Sequence, residues 1–184
     1  NEALRDDLVG CEPSSIDDPV CAGEVLADFG LRAWRRPLTD EELTPLVDIA
    51  GESGTVLGDF YEGLGYGLAG ILQSPNFLFR VELGEDDPET GDRRFSDYEM
   101  ASRLSFLLWN TIPDRDLLTA AGNGELTDVE GLNIQVERMM SDPRFEYGVR
   151  AMFTDMWTLY ELEDLTKDPT IFTHMSPEVG PSAT

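Results

Sequence analysis

Apolar residues recur at helical spacing along nearly the whole chain, in runs punctuated by proline, glycine and short polar caps. Leu57, Phe60, Tyr61, Leu64, Leu68, Ile71 and Leu72 fall at i, i+3, i+4, i+7, i+11, i+14 and i+15, a single stripe on one helix. Phe145, Val149, Met152, Phe153, Met156, Trp157 and Tyr160 make a second such stripe, and at that spacing they read as core. Between them, Ala101, Leu104, Leu107, Leu108 and Trp109 mark another helix. No segment alternates apolar and polar residues over a strand's length, and no hairpin turn stands between two such segments. The pattern predicts an all-α fold of about seven helices.

The helix starts are written in local chemistry. Asp18-Pro19 opens a helix running to about Arg36, where Pro37 stops it. Thr39-Asp-Glu-Glu42, Ser96-Asp-Tyr-Glu99 and Thr127-Asp-Val-Glu130 each match the capping box, in which a hydroxyl takes one orphan amide and a glutamate reaches back to another. Asp142-Pro143 starts the last long helix, and Pro113 precedes a short one ending near Gly122. Asn76 to Arg80 reads as a short buried turn or helix after Ser74-Pro75. The charged stretch 84–94 divides the chain. The expected organisation is a helical module over 1–83, a linker over 84–95, a second helical module over 96–166 and an extended, proline-bearing tail over 167–184, the two modules forming a bundle-like array.

Charge narrows the choice of partners. Thirty-seven acidic residues face thirteen basic ones, a net charge of -24, and Lys167 is the only lysine. Binding to a phosphate backbone needs a basic face, so nucleic acid is excluded, and an anionic membrane surface falls to the same argument. Excess carboxylate with scarce lysine fits a high-salt habitat, and it fits equally a GC-rich genome combined with an acidic secreted surface. No run of about 18 apolar residues is present, so no membrane span is expected. A start at Asn1 without a basic-then-apolar leader reads as a processed or excised piece with any signal peptide upstream.

Cys11 and Cys21, the only cysteines, bracket a proline-containing loop. A disulfide staple is the leading reading, with two free thiols or half of a metal site as alternatives. The second thiol pair or the two histidines that zinc requires are absent, so no metal site is expected, and an oxidising, extracytoplasmic compartment follows from the staple.

Catalytic candidates are few. Gly65-Tyr-Gly67-Leu-Ala-Gly70 spells G-x-G-x-x-G, yet the apolar stripe runs straight through it, whereas a dinucleotide loop must follow a strand and open a helix. Gly63 and Gly67 are better explained as a place where a neighbouring helix comes close. Arg32, Arg35 and Arg36 surround Trp34 and offer two roles, ion pairing at a helix end or an anion clamp for a carboxylate or haem propionate. Arg103 follows Glu99 at i+4, an expected ion pair. His174, the only histidine, and Met175 are the candidates for an axial haem ligand, although no C-x-x-C-H attachment sequence is present. The run Asp86 to Asp92 fails the EF-hand spacing for Ca²⁺. The catalytic residues are therefore unassigned.

Phe29, Arg32-Ala-Trp-Arg-Arg-Pro-Leu-Thr-Asp-Glu-Glu-Leu43 and Leu72-Gln-Ser-Pro-Asn-Phe-Leu-Phe-Arg80 resemble one domain of the cytochrome-c-associated exported proteins of unknown function found in planctomycetes and myxobacteria. Ser96-Asp-Tyr-Glu-Met-Ala-Ser-Arg-Leu-Ser-Phe-Leu-Leu-Trp109, Pro113-Asp114 and Asp142-Pro-Arg144 resemble the next domain of the same proteins. The resemblance covers most of the chain in the family's order. It implies export, and haem c in flanking domains with no cofactor within this chain. One departure is Met156, where the family commonly has Gln before the tryptophan of the last helix. The expectation is a scaffold or docking module of an envelope redox protein, with other domains or a basic cytochrome as partner. The alternatives are an extracellular enzyme acting on a polymeric substrate, with a deep pocket at the seam lined by Glu99, Arg103 and Arg35, or a purely structural subunit.

Overall fold

The computed structural model describes residues 9–162, 170 and 171. Among them are eight α-helices, one two-stranded ribbon and a closing 3-10 turn at Leu159–Leu162, so the fold is all-α. Helix α1 spans Pro19–Trp34, capped by Asp18, whose carboxylate accepts the amides of Val20 and Cys21. It ends two residues earlier than Pro37 alone implies, because Arg35 swings into the left-handed region at φ 61°. Helix α2 (Asp40–Leu57) starts on the capping box of Thr39 and Glu42 and stops at Gly58, φ 76°. Asp59 then caps α3 (Phe60–Gln73), so Leu57 closes α2 and the apolar stripe of α3 begins at Phe60. Helix α4 (Pro75–Leu78) is a single turn.

The charged stretch is more ordered than its composition predicts. Glu85–Asp86 (β1) and Arg93–Arg94 (β2) pair antiparallel, Glu85 opposite Arg94 and Asp86 opposite Arg93, with the left-handed glycines Gly84 and Gly91 making the bends. Salt bridges Arg94–Glu85 (2.9 Å) and Arg93–Asp86 (3.0 Å) sit on the two ladder pairs. Helix α5 (Asp97–Trp109) starts on the Ser96–Glu99 box, and α6 (Arg115–Gly122) on Asp114. Helix α7 (Val129–Met140) is capped by Asp128 in place of the expected Thr127, whose amide and hydroxyl turn instead to the Asp97 carboxylate. Helix α8 (Arg144–Met156) follows Pro143.

Two separate apolar cores form. The first gathers Val25, Leu26, Trp34, Leu46, Phe60, Leu64 and Ile71 from α1 to α3. The second gathers Leu104, Trp109, Leu117, Leu126 and Met139 from α5 to α7 and the loop before α7. The disulfide Cys11–Cys21 staples the approach to α1, and closing a loop of this size contributes about 2–3 kcal/mol.

Both cores are closed by a tryptophan at a helix end. Trp34 donates its indole N–H to the Ile71 carbonyl (3.1 Å), and Trp109 donates to that of Met139 (2.9 Å). Each tryptophan precedes a left-handed residue, Arg35 or Asn110, and each carries a stacked guanidinium, Arg36 at 5.5 Å or Arg144 at 3.5 Å from the ring centre.

Two expectations about burial fail. The segment 76–80 is exposed at Phe77, Leu78 and Phe79, because α4 is only four residues long and lies over the end of α1. On α8, Met152, Met156 and Trp157 are exposed, and the one buried residue is Gly148. A Cβ at Gly148 would collide with the Leu108 backbone, so α8 approaches α5 closely through its glycine. Phe145 packs on the second core, Val149 and Phe153 are half-buried, and Met152 and Met156 face outward. The expected tail, 167–184, lies outside the described residues save Thr170 and Ile171.

Candidate functional site

The seam between the two helical halves contains a cleft of about 190 Å³ lined by Trp34, Arg35, Arg36, Asn76, Arg80, Val81, Leu83, Ser96, Tyr98, Glu99 and Ser102. One wall is built on the end of α1. Arg35 is 6% exposed, and its guanidinium donates to the carbonyls of Ala33 (3.0 Å), Asn76 (2.7 Å) and Phe79 (2.9 Å). These three bonds hold a non-glycine residue in a left-handed conformation that costs about 1–2 kcal/mol on its own. They also tie α4 to α1. Burial pushes the Arg35 pKa down from its ordinary value, and the neighbouring Arg80 charge adds to the shift.

The opposite wall is the start of α5. Glu99 accepts from the amides of Leu83 (2.6 Å) and Gly84 (2.8 Å) with Oε1, and from the Ser96 amide and hydroxyl (2.8 and 3.0 Å) with Oε2. One carboxylate thus caps the helix and pins the incoming chain. Burial pushes its pKa up, but the amides of Gly84, Ser96 and Leu83 outweigh it, and the net shift is downward. Glu99 is therefore ionised and fully engaged, a structural anion and a poor proton shuttle.

The structure separates the expected site residues. Arg36 lines the cleft but is spent on Glu42 through two bonds of 2.8 and 2.7 Å. Arg32 faces a different cleft, with Arg115 and Tyr98, and pairs with Asp28 at 3.4 Å. Arg103, expected beside Glu99, pairs with Glu82 (2.8 Å) and stacks on Phe95 at 4.3 Å from the ring centre, because Glu99 is already occupied by amides. His174 and Met175 lie outside the described residues. Arg80, Asn76 and Ser102 were not singled out by the sequence. The one available signal is that Arg80 has no acidic residue three or four positions away on either side.

A second cluster is the cation-rich face of Trp109. Asp114 accepts two bonds from Arg138 (2.9 and 3.0 Å) and one from Arg144 (3.1 Å), while Asp142 grips Arg144 through two more (2.9 and 2.7 Å). Arg144 lies 3.5 Å from the Trp109 ring centre. The charges close on one another, which makes this a structural clasp. The Pro113-Asp114 and Asp142-Pro-Arg144 motifs named above both belong to it.

Three carboxylates have pKa values lowered to about 2: Asp18 by the Ser14 amide and hydroxyl and the amides of α1, Glu42 by Arg36, and Asp142 by Arg144. Folded values below the unfolded ones mean that this stabilisation is present above pH 4.5 and is lost as pH falls towards 2. Neutralising the excess carboxylates relieves self-repulsion in the same interval, so the wild-type curve alone is ambiguous. Glu42→Gln, which can keep the capping box but loses the Arg36 pair, is expected to lower the melting temperature at neutral pH, with the gap narrowing below pH 4.5 and closing towards pH 2. Parallel thermal melts across this range check it, and a constant offset at every pH overturns it.

Among the described residues, no group of three or more His, Cys, Asp or Glu side chains is placed to hold a metal ion, and no helix is long and apolar enough to cross a membrane. Residues 21–82 match the family model described as PSD5, protein of unknown function (DUF1595). Residues 95–184 match the one described as PSD4, protein of unknown function (DUF1592). No curated protein and no solved structure matches the chain. It is thus built of two consecutive domains of families of unknown function.

Proposed function

Starting from two consecutive domains of families of unknown function, we propose that the chain is an extracytoplasmic docking module of a haem-associated redox protein, and that α8 receives a basic protein partner. The observation that carries the reading is the outward apolar face of α8. Met156 is 59% and Trp157 60% exposed, beside a groove lined by Leu107, Gly148, Ala151, Met152 and Asp155. Exposed methionine and tryptophan side chains in one stripe are typical of interface centres, where a few such anchors carry most of the binding energy. The occupant is specified by charge. A surface carrying a net charge of -24 favours a partner with a basic rim around an apolar centre, which is the form of a basic c-type cytochrome. The disulfide supports an oxidising compartment, and the haem association rests on the family resemblance.

Titration with a basic c-type cytochrome tests the proposal. Raising the ionic strength from about 0.01 to about 0.15 M is expected to slow association, because the Debye length falls from about 30 to about 8 Å. Trp157→Ser is expected to weaken binding at least about tenfold at fixed salt, in line with loss of an interface anchor. Equal affinity of the variant and wild type, or no binding at low salt, overturns the reading.

A further inference from the structure

The seam cleft supports an inference separate from the docking face. Every other arginine described in the structure is bonded to a carboxylate or to backbone carbonyls. Arg80 is bonded to neither. Its only contact of this kind is stacking on Phe106, 4.9 Å from the ring centre, and its five N–H donors meet no acceptor among the described residues. In a chain with 37 acidic residues, an uncompensated guanidinium is an exception that needs a cause.

Its setting supplies one. Arg80 shares the cleft wall with Arg35, which is 6% exposed and bonded only to carbonyls, so two positive charges converge with no carboxylate bonded to either. The Ser102 hydroxyl, on a residue 8% exposed, and the Asn76 carboxamide also line the cleft and make no hydrogen bond among the described residues. The only carboxylate in the lining, Glu99, is saturated by amides on both oxygens. The cleft therefore offers the Arg80 guanidinium, a hydroxyl and an amide without an acceptor among the described residues, beside Arg35, whose charge is met by carbonyls and by no carboxylate. Arg36, bonded to Glu42, and Ser96, bonded to Glu99, complete the polar lining, and the rest is apolar or aromatic: Trp34, Val81, Leu83 and Tyr98.

We propose that this cleft binds a small carboxylate with an apolar body, its oxyanion held by Arg80 and Arg35 with the Ser102 hydroxyl, and its body laid against Trp34, Val81 and Leu83. The planar guanidinium fork matches a carboxylate in two-point fashion. A phosphate dianion fits less well, because Glu99 lies in the same wall and nothing apolar would cover the hydrophobic side. The volume of about 190 Å³ lies below the ~300 Å³ lower end for drug-sized ligands, which limits the ligand to a short-chain or single-ring acid.

Calorimetric titration of the 184-residue chain with benzoate, benzamide and inorganic phosphate tests the assignment. Benzoate is expected to bind at least about tenfold more tightly than benzamide or phosphate, as loss of a charge-assisted hydrogen bond would give. Arg80→Gln is expected to lower benzoate affinity by a similar factor while moving the unfolding midpoint only slightly, since Arg80 makes no hydrogen bond or ion pair among the described residues and its exposed stacking on Phe106 contributes little. Arg150→Gln, on the exposed Arg150–Glu146 pair, is expected to change nothing. Absence of benzoate binding, equal binding of benzamide, or unchanged affinity in Arg80→Gln overturns the proposal. Tighter binding of phosphate than of benzoate overturns the carboxylate assignment.

Discussion

Gly63→Ala is expected to destabilise the protein by about 3 kcal/mol, while Gly65→Ala, two residues along the same helix, is expected to stabilise it by about 0.5–1 kcal/mol. The sign is decided by what a methyl group meets. At Gly63 it would collide with the Ala50 carbonyl and lie 2.5 and 2.6 Å from the Gly54 amide nitrogen and Cα. All three atoms are α2 backbone, which cannot turn aside as a side chain can, so α2 and α3 must move apart and the first core opens. At Gly65 nothing lies within 4 Å, and alanine simply removes the entropy that glycine loses in a helix. Urea unfolding of both variants, followed by tryptophan fluorescence, reads the difference directly. A Gly63→Ala midpoint within error of wild type would show that the helix crossing is looser than the structure has it. The pair also settles the G-x-G-x-x-G string, whose first glycine is free of contact and whose second packs on Leu26 and the Leu46 carbonyl.

The sequence was legible where the determining contact is local. Thr39 with Glu42, and Ser96 with Glu99, are partners three residues apart, and both boxes form as the spacing predicts. The Thr127 box fails because Asp97, about thirty residues away, takes the Thr127 amide and hydroxyl, and Asp128 caps instead. Arg150–Glu146 and Arg32–Asp28 obey the i,i+4 rule, whereas Arg103 reaches 21 residues back to Glu82. Periodicity correctly marks one apolar face on α8, but it carries no information on what covers that face. Gly148 departs from the expectation, since the helix comes closest to α5 through its smallest residue, with Phe145 alone of the large stripe residues packed on the second core. The seam cleft was half visible for the same reason. Arg35 announced itself beside Trp34, while Arg80, Asn76 and Ser102 reach the cleft only through the turn of α4 and the docking of α5.

Asp114→Ala is expected to cost about 2–3 kcal/mol and to act on the second core alone. The residue has two separable duties. Its Oδ1 accepts the Leu117 amide and caps α6, a bond whose loss costs about 1 kcal/mol. The same carboxylate bridges Arg138 and Arg144, which both lie over Trp109, at 5.5 and 3.5 Å from the ring centre. Burial raises the Asp114 pKa, but Arg138, the Leu117 amide and Arg144 together outweigh it and the net shift is downward, so the clasp is ionic at neutral pH. Its side chain is 22% exposed and those of its partners 30% and 39%, so screening trims the ion pairs well below the several kcal/mol of a buried triad. Asp114→Asn separates the duties, because asparagine caps as well as aspartate yet cannot pair with two arginines. It is expected to recover about 1 kcal/mol of the alanine loss while leaving two guanidiniums over Trp109 without a shared anion, and Asp142 holding Arg144 alone. Urea unfolding at low and high salt checks this, with added salt narrowing the gap between Asn and wild type but not that between Ala and Asn. If Asp114→Asn matches wild type at low salt, stacking on Trp109 holds both arginines by itself, and the second core is closed by its tryptophan rather than by charge. The first core offers the comparison, since there Arg36 stacks on Trp34 and pairs with Glu42 at the start of α2. Equivalent losses in Glu42→Gln and Asp114→Asn would show that both helical halves are locked by the same device of tryptophan, stacked arginine and a carboxylate at the head of the next helix.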